Sequence, residues 1–454
     1  MPTMRLLVLC GLLLSCGSAL AATAPATAPV VVYRGAALID TAHGVVRPDV
    51  SIVVEGQRIK AVVPTRELAA IPGAQILDMT GRFVLPGLID SHQHLATPPD
   101  RKFAQAMMRR DLYSGITAVR DMADDLRSVG ELARESLLGE IPGPDIYFAA
   151  LMAGPSFFND PRTSAAAQGA VAGSVPWMQA ITEQTDMPLA VAMARGTYAT
   201  GIKIYANLPG SLVKKITAEA HRQGILVWAH AAVFPASPKE VIEAGVDSVS
   251  HVCYLTYQVY DKMPQSYAKR FDNDDARFVH GDDPRIAALF DEMRRRGTIL
   301  DATVSIHAAF EQHPAQHPGR RIYLCSSKLA FQLTNQAYRA GVQISTGTDE
   351  VSPAADPYPQ LYDELGELVA GARMPIAEVL KSATVIGAKA LGHEAEMGTI
   401  ERGKLANLLF VEKSPLENIE NLRTVVLTVK RGTRFPRSAY VPVRPEEMPA
   451  EYRQ

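Results

Sequence analysis

Six side chains in this 454-residue sequence carry atoms that hold metal ions or move protons, and each lies in or at the end of a strand candidate: His92, His94, Lys203, His230, His251 and Asp349. The first two stand in Val84-Leu85-Pro86-Gly87-Leu88-Ile89-Asp90-Ser91-His92-Gln93-His94-Leu95. A strand sends alternate side chains to opposite faces, so both imidazoles point the same way. Two neutral imidazoles side by side can hold one divalent cation; a hydrogen-bonded pair of core histidines has the same spacing. In Gly201-Ile202-Lys203-Ile204-Tyr205 the isoleucines take the outer, helix-facing positions of a barrel strand and Lys203 points inward. A lone buried ammonium is costly. Either a carboxylate pairs with it, or CO₂ caps the amine as a carbamate and turns a cation into an anionic bridge for two metals. Val227-Trp228-Ala229-His230 and Ser248-Val249-Ser250-His251 each end a strand in histidine; alone, each reads sooner as a satisfied core histidine than as a ligand, but together they end consecutive strands, where a barrel site needs them. Ser345-Thr346-Gly347-Thr348-Asp349 adds a carboxylate to the last strand. An Asp there can cap the next helix, but convergence with five other candidates favours a ligand and general base.

Positioning these residues requires a parallel sheet. Between Phe83 and about His393, strand candidates alternate with helical patterns. They run Phe83 to His94, Ile116 to Asp121, Asp145 to Leu151, Gly201 to Tyr205, Leu226 to His230, Val246 to His251, Ile299 to Val304 and Val342 to Asp349. Eight such units suit an α/β fold, a (β/α)₈ TIM-like barrel. Gly154 to Asp186 and Cys253 to Pro284 are too long for simple connections; both follow strands, so both belong on the C-terminal face. The second, with Tyr254, Tyr257, Tyr260, Tyr267, Phe271 and Phe278, is expected to wall the pocket. Short strands before Asp78 and after Gly398 predict a small β-sandwich domain built from both termini, since neither half buries a core alone. The expected organisation is a signal peptide over 1–21, a linker over 22–29, sandwich over 30–82, barrel over 83–395, sandwich over 396–440 and a tail over 441–454.

Together, Pro86 to His94, Gly201 to Tyr205, the histidines at 230 and 251, Gly347-Thr348-Asp349 and the return Gly398-Thr399-Ile400-Glu401-Arg402-Gly403-Lys404-Leu405-Ala406-Asn407-Leu408 resemble the amidohydrolase superfamily. The resemblance covers nearly the whole mature chain and is to the binuclear branch, near its prolidase-like and imidazolonepropionase-like members. It implies that His92, His94 and Asp349 hold one metal and His230 and His251 a second, with carboxylated Lys203 and a hydroxide between them. Two Zn²⁺ per chain suit these nitrogen and oxygen ligands. The implied reaction is hydrolysis of amide or peptide-like C–N bonds in dipeptides or N-acyl amino acids. Asp349 takes the proton of the attacking hydroxide and passes it to the leaving amine.

Where prolidase-like members carry Gly-Gly-His after the third strand, this chain has Met152 to Asp160, which argues against Xaa-Pro specificity but not against the metal centre. Asn407 replaces the usual Asp, a matter for the sandwich. Asp121 reads as structural; His307, just beyond the seventh strand, either contacts substrate or sits in a solvated loop, and the loop is the favoured reading. Lys203 argues against a mononuclear deaminase. An esterase or lactonase with the same centre remains open, as does a catalytically inactive barrel serving as a binding module.

A net charge of −2, with 47% apolar and 21% charged residues, gives no basic footprint for nucleic acid. The expected partner is a small-molecule or dipeptide-like substrate. Arg5, the apolar run Leu6 to Leu14 and Ala19-Leu20-Ala21 predict a secretory leader too short to span a bilayer, hence a secreted or periplasmic protein. Leu13-Leu14-Ser15-Cys16 offers the alternative of a lipoprotein anchored through Cys16. The mature chain then keeps Cys253 and Cys325, which can pair in an oxidising compartment if close enough.

Overall fold

The structure, a computed structural model, describes residues 29–97, 99–279, 281–312, 325–349 and 356–449. The expected leader, nearly all of the linker, and the last residues of the tail lie outside these. Among the described residues no helix is long and apolar enough to cross a membrane.

Eight parallel strands form the barrel: β1 (Leu88–Gln93), β2 (Ile116–Asp121), β3 (Asp145–Ala153), β4 (Gly201–Ile204), β5 (Leu226–His230), β6 (Ser248–Ser250), β7 (Ile299–Asp301) and β8 (Ile344–Ser345). Each pairs in parallel with the next. Between β8 and β1 the ring nearly closes through single contacts, Ser91 N to Thr346 O at 2.7 Å and Asp349 N to His92 O at 2.9 Å. A short hairpin, Ser174–Val175 and Met178–Ala180, adds to the end of β3 inside the first long interval.

Alternation along β4 works as expected. Ile202 and Ile204 are fully buried and share the outer core with Leu212, Val213 and Ile216 of the helix Gly210–Arg222, while Lys203 faces the interior cavity. Below the site, the interior is closed by Trp228, with the Arg120 guanidinium 4.7 Å from its ring centroid and both side chains wholly buried. Gly201 makes room for that indole; a Cβ there would lie 2.7 Å from a ring carbon.

Both chain ends enter one eight-stranded sheet. Its order is Thr433–Pro436, Val425–Lys430, Leu408–Val411, Phe83–Pro86, Val30–Asp40, Val45–Glu55 and Arg58–Pro64, with Gln75–Asp78 alongside Val30–Asp40. Its core contains Tyr33, Ile52, Phe410 and Val429. The stretch from Phe83 to His94 is therefore two strands in two sheets. They divide at Gly87, whose amide donates to Asn407 O at 3.0 Å and where a Cβ would press into Thr117. Periodicity carries the strand signal across that joint without showing the change of partner.

Candidate metal centre and substrate cavity

All six candidate residues line one cavity of about 520 Å³ at the C-terminal ends of the strands. His92, His94 and Asp349 bring ligand atoms within 4.8 Å of one another. Asp349 Oδ1 lies 3.2 Å from His92 Nε2 and 3.3 Å from His94 Nε2, and Oδ2 lies 3.7 Å from His251 Nδ1. The His251 ring is 4.9 Å from both His92 and His230, centroid to centroid. His230 and His251 thus stand beside the compact triad rather than within it.

These groups leave donors and acceptors facing a common space. Lys203 Nζ and His230 Nδ1 are buried without a hydrogen-bond partner, an expensive state for an amine and an imidazole inside a protein. Burial, then the Arg120 charge, lowers the Lys203 pKa to about 7, which favours the neutral amine. Burial holds His230 well below the usual imidazole range and takes His251 to about 3 despite Asp349, so both rings are neutral. For His94 the opposing pull of burial is exceeded by Asp124 and Asp349, and its pKa rises to about 10. Burial is likewise outweighed at Asp349, where His92 and His251 hold the carboxyl well below its ordinary value. Without a cation in the site His94 is thus held as a charged ring between Asp124 and Asp349, while the neutral His230 and His251, the ionised Asp349 and the unpartnered Lys203 amine are a donor set that fits a divalent cation.

The backbone is bent into place around this set. Ala123, His251, Thr303 and Asp349 have φ of +89°, +70°, +50° and +52°, all just beyond strand ends. For Thr, branched at Cβ, that is a strained conformation, and such strain gathers at functional sites.

Several functional residues were not singled out by sequence. His92 Nδ1 lies 2.6 Å from Asp301 Oδ2, at the end of β7, and His94 Nδ1 lies 2.7 Å from Asp124 Oδ1. These carboxylates fix each ring so that Nε2 faces Asp349. Asp301 also accepts from Ser250 Oγ at 2.9 Å and Arg120 Nη2 at 3.2 Å. Its position, a polar residue closing the apolar run Ile299-Leu300, is the same signal that marks His230 and His251. Asp121 is structural as read: buried, it accepts from Leu95 N and Asp124 N. Asn407 is also remote from the cavity; its Oδ1 accepts from Arg431 N at 2.8 Å.

His307 is not in a solvated loop. It lies on the helix Val304–Gln312, is only 6% exposed and lines the cavity. The physical reason is a tertiary contact: Glu364 accepts from Val304 N at 3.2 Å and Ser305 N at 2.7 Å and so satisfies the first amides of the helix. Its Nε2 lies 3.3 Å from Cys253 Sγ. Cys253 and Cys325 are disulfide-bonded, with Cα atoms 5.7 Å apart, tying the second long interval to the start of the helix Ser327–Arg339.

Both long intervals wall the cavity, the first through Phe157, Arg162 and Met178, the second through Tyr254, Tyr267 and Arg270. Tyr260 and Phe271 pack behind, around Tyr257.

A sequence profile of the amidohydrolase family matches residues 83–434. The chain belongs to that family. Amidohydrolases are metal-dependent hydrolases of C–N bonds, and the relatives agree. A Thermoanaerobacter pseudethanolicus 5-methylthioadenosine/S-adenosylhomocysteine deaminase is 22% identical over 370 residues, 74% of this chain and 75% of its own. An imidazolonepropionase from Paenarthrobacter aurescens is 39% identical over a shorter span, 19% of this chain and 22% of its own. Among solved structures, a Bifidobacterium longum protein described as a prolidase superposes with a TM-score of 0.68 at 26% identity, covering 92% of this chain and 97% of its own.

Proposed function

We propose that this amidohydrolase carries two zinc ions bridged by carboxylated Lys203 and hydrolyses amide or peptide-like bonds of small substrates, dipeptides or N-acyl amino acids. The observation that carries the reading is the buried, unpartnered Lys203 Nζ, in one cavity with four histidines and Asp349. A mononuclear deaminase has no use for an amine at that position.

In this reading His92, His94 and Asp349 would hold one ion and His230 and His251 the other, with carboxylated Lys203 supplying an anionic oxygen ligand. Bound there, two divalent cations supply Lewis acidity and make a water nucleophilic near neutral pH. Asp301 and Asp124 hold the His92 and His94 rings in orientation. Asp349, ionised and within reach of both rings, accepts the proton of the attacking water and returns it to the departing amine. Export to an oxidising compartment is supported by the Cys253 to Cys325 bridge together with the apolar leader.

The test is amine release from a panel of dipeptides and N-acyl amino acids, run beside matched esters and lactones. Amide turnover abolished by Asp349→Asn supports the reading. Ester turnover without amide turnover replaces it with the esterase, and no turnover with full metal loading leaves a binding module.

A further inference from the structure

Away from the histidines, the cavity carries two guanidinium groups, one from each long interval. Arg162, the second residue of the helix Pro161–Ala167, gives Nε and Nη2 to Asp160 at 3.0 and 2.7 Å and points Nη1 to Tyr205 Oη at 3.3 Å. Arg270 Cζ lies 3.5 Å from the centroid of Tyr267, and its Nη1 donates to Tyr267 O at 2.9 Å. The two rings meet at 5.5 Å, and Arg162 Cζ is 5.9 and 5.7 Å from them. Tyr267 is itself fixed, its amide donating to Asn207 Oδ1 at 2.7 Å.

The arrangement is pre-organised for an anion. Asp160 occupies one edge of the Arg162 fork and sets its direction, leaving Nη1 on the side of the tyrosines. Of the three charged side chains lining this half, Asp160, Arg162 and Arg270, two are cations, so the set carries one net positive charge. Its distance from the metal centre fits a small substrate. The Tyr267 centroid is 6.1 Å from that of His230, and the Arg270 guanidinium rests on the Tyr267 ring. An extended chain advances about 3.5 Å per residue, so one or two residues beyond the scissile bond bring a terminal carboxylate to the arginines. Phe157 packs on Tyr205 and Tyr267, and with Met178, Ile306 and Phe310 it gives the same cavity an apolar lining suited to a hydrophobic side chain.

We propose that Arg162 and Arg270, mounted against Tyr205 and Tyr267, are the specificity-determining residues that bind a free carboxylate on the substrate, so that the enzyme selects amides of apolar amino acids with an ionised carboxylate over their neutral counterparts. The inference rests on the amide-hydrolase reading above and names its substrate class. Charge-assisted guanidinium to carboxylate bonds are about twice as strong as neutral ones, and the neutral counterpart leaves them unmade.

The experiment uses the zinc-loaded mature protein and the pair N-acetyl-L-phenylalanine and N-acetyl-L-phenylalaninamide, following acetate release for kcat and KM and measuring binding of both compounds by calorimetry. The carboxylate member is expected to be preferred by at least about tenfold in kcat/KM. Arg270→Met and Arg162→Gln should each narrow that ratio several-fold, chiefly through KM, while Arg270→Lys, which keeps the charge, restores part of it. Hydrolysis of both members at similar efficiency would overturn the anion subsite and leave the amide-hydrolase reading standing. A carboxylate preference untouched in both folded arginine variants would overturn the assignment to these residues. If neither compound is hydrolysed, the reading of the reaction fails, and the calorimetric pair decides the subsite separately: equal affinities overturn it, tighter binding of the carboxylate that weakens in Arg270→Met upholds it.

Discussion

Replacing Asp301 by Asn should separate the geometry of the metal centre from its mere composition. Asp301 is fully buried and joins three elements: His92 Nδ1 at 2.6 Å, Ser250 Oγ at 2.9 Å and Arg120 Nη2 at 3.2 Å. Asparagine keeps the shape but removes the charge, leaving the wholly buried Arg120 without this counter-ion. Removing one partner of a buried ion pair costs about 3–5 kcal/mol; Asn still offers one acceptor oxygen, so about 3 kcal/mol is expected. The His92 ring also loses the carboxylate that sets its tautomer, and partners of this kind are worth about 10- to 100-fold in metal affinity. Ser250→Ala, which removes one hydrogen bond to the carboxylate and leaves the His92 contact, should cost about 1.5–3 kcal/mol with little effect on affinity. Urea unfolding and chelator-competition titration read the two quantities. A folded Asp301→Asn protein that binds metal within about twofold of the parent would refute the claim that this carboxylate orients His92.

Gly347→Ala places a Cβ 2.7 Å from His92 Cβ and against Asp301 Oδ1; overpacking of about 1–3 kcal/mol and weakened metal retention should appear in melting and elemental assays. Cys253→Ser with Cys325→Ser opens a loop of 72 residues and should lower stability by about 4 kcal/mol on chain-entropy grounds, visible in denaturant titrations under non-reducing conditions. Burial pushes the Glu364 carboxyl up to about 8 from its ordinary 4.5. The folded protein then keeps a proton that the unfolded chain has released, so this group makes stability fall as pH rises from about 4.5 to about 8. Glu364→Gln should flatten that decline in melting temperature against pH, and an unchanged slope would count against it.

What sequence made legible was whatever a single strand can encode. Alternation placed His92 and His94 on one face and turned Lys203 inward between two outward isoleucines, strand ends marked His230 and His251, and convergence with these marked Asp349 at the end of the last strand. Contacts across long sequence separations left no local trace. Asp301 meets His92 across 209 positions and Arg120 across 181, so neither role follows from its own neighbourhood. The first amides of the helix carrying His307 are held by Glu364, 60 residues away, a contact that the neighbourhood of His307 does not show. The change of sheet at Gly87 depends on Thr117 and Asn407, both invisible to periodicity. Arg162 and Arg270 lie in intervals whose placement on the C-terminal face was foreseeable from strand order, but their convergence on Tyr205 and Tyr267 was not.

The binuclear centre is tested most directly by the metal content of the purified mature chain, measured by elemental analysis beside the Lys203→Ala variant. The account predicts about two equivalents of zinc in the parent, falling sharply in the variant, because the bridge between the sites is gone. One equivalent that Lys203→Ala leaves unchanged would contradict it and return the site to a mononuclear centre.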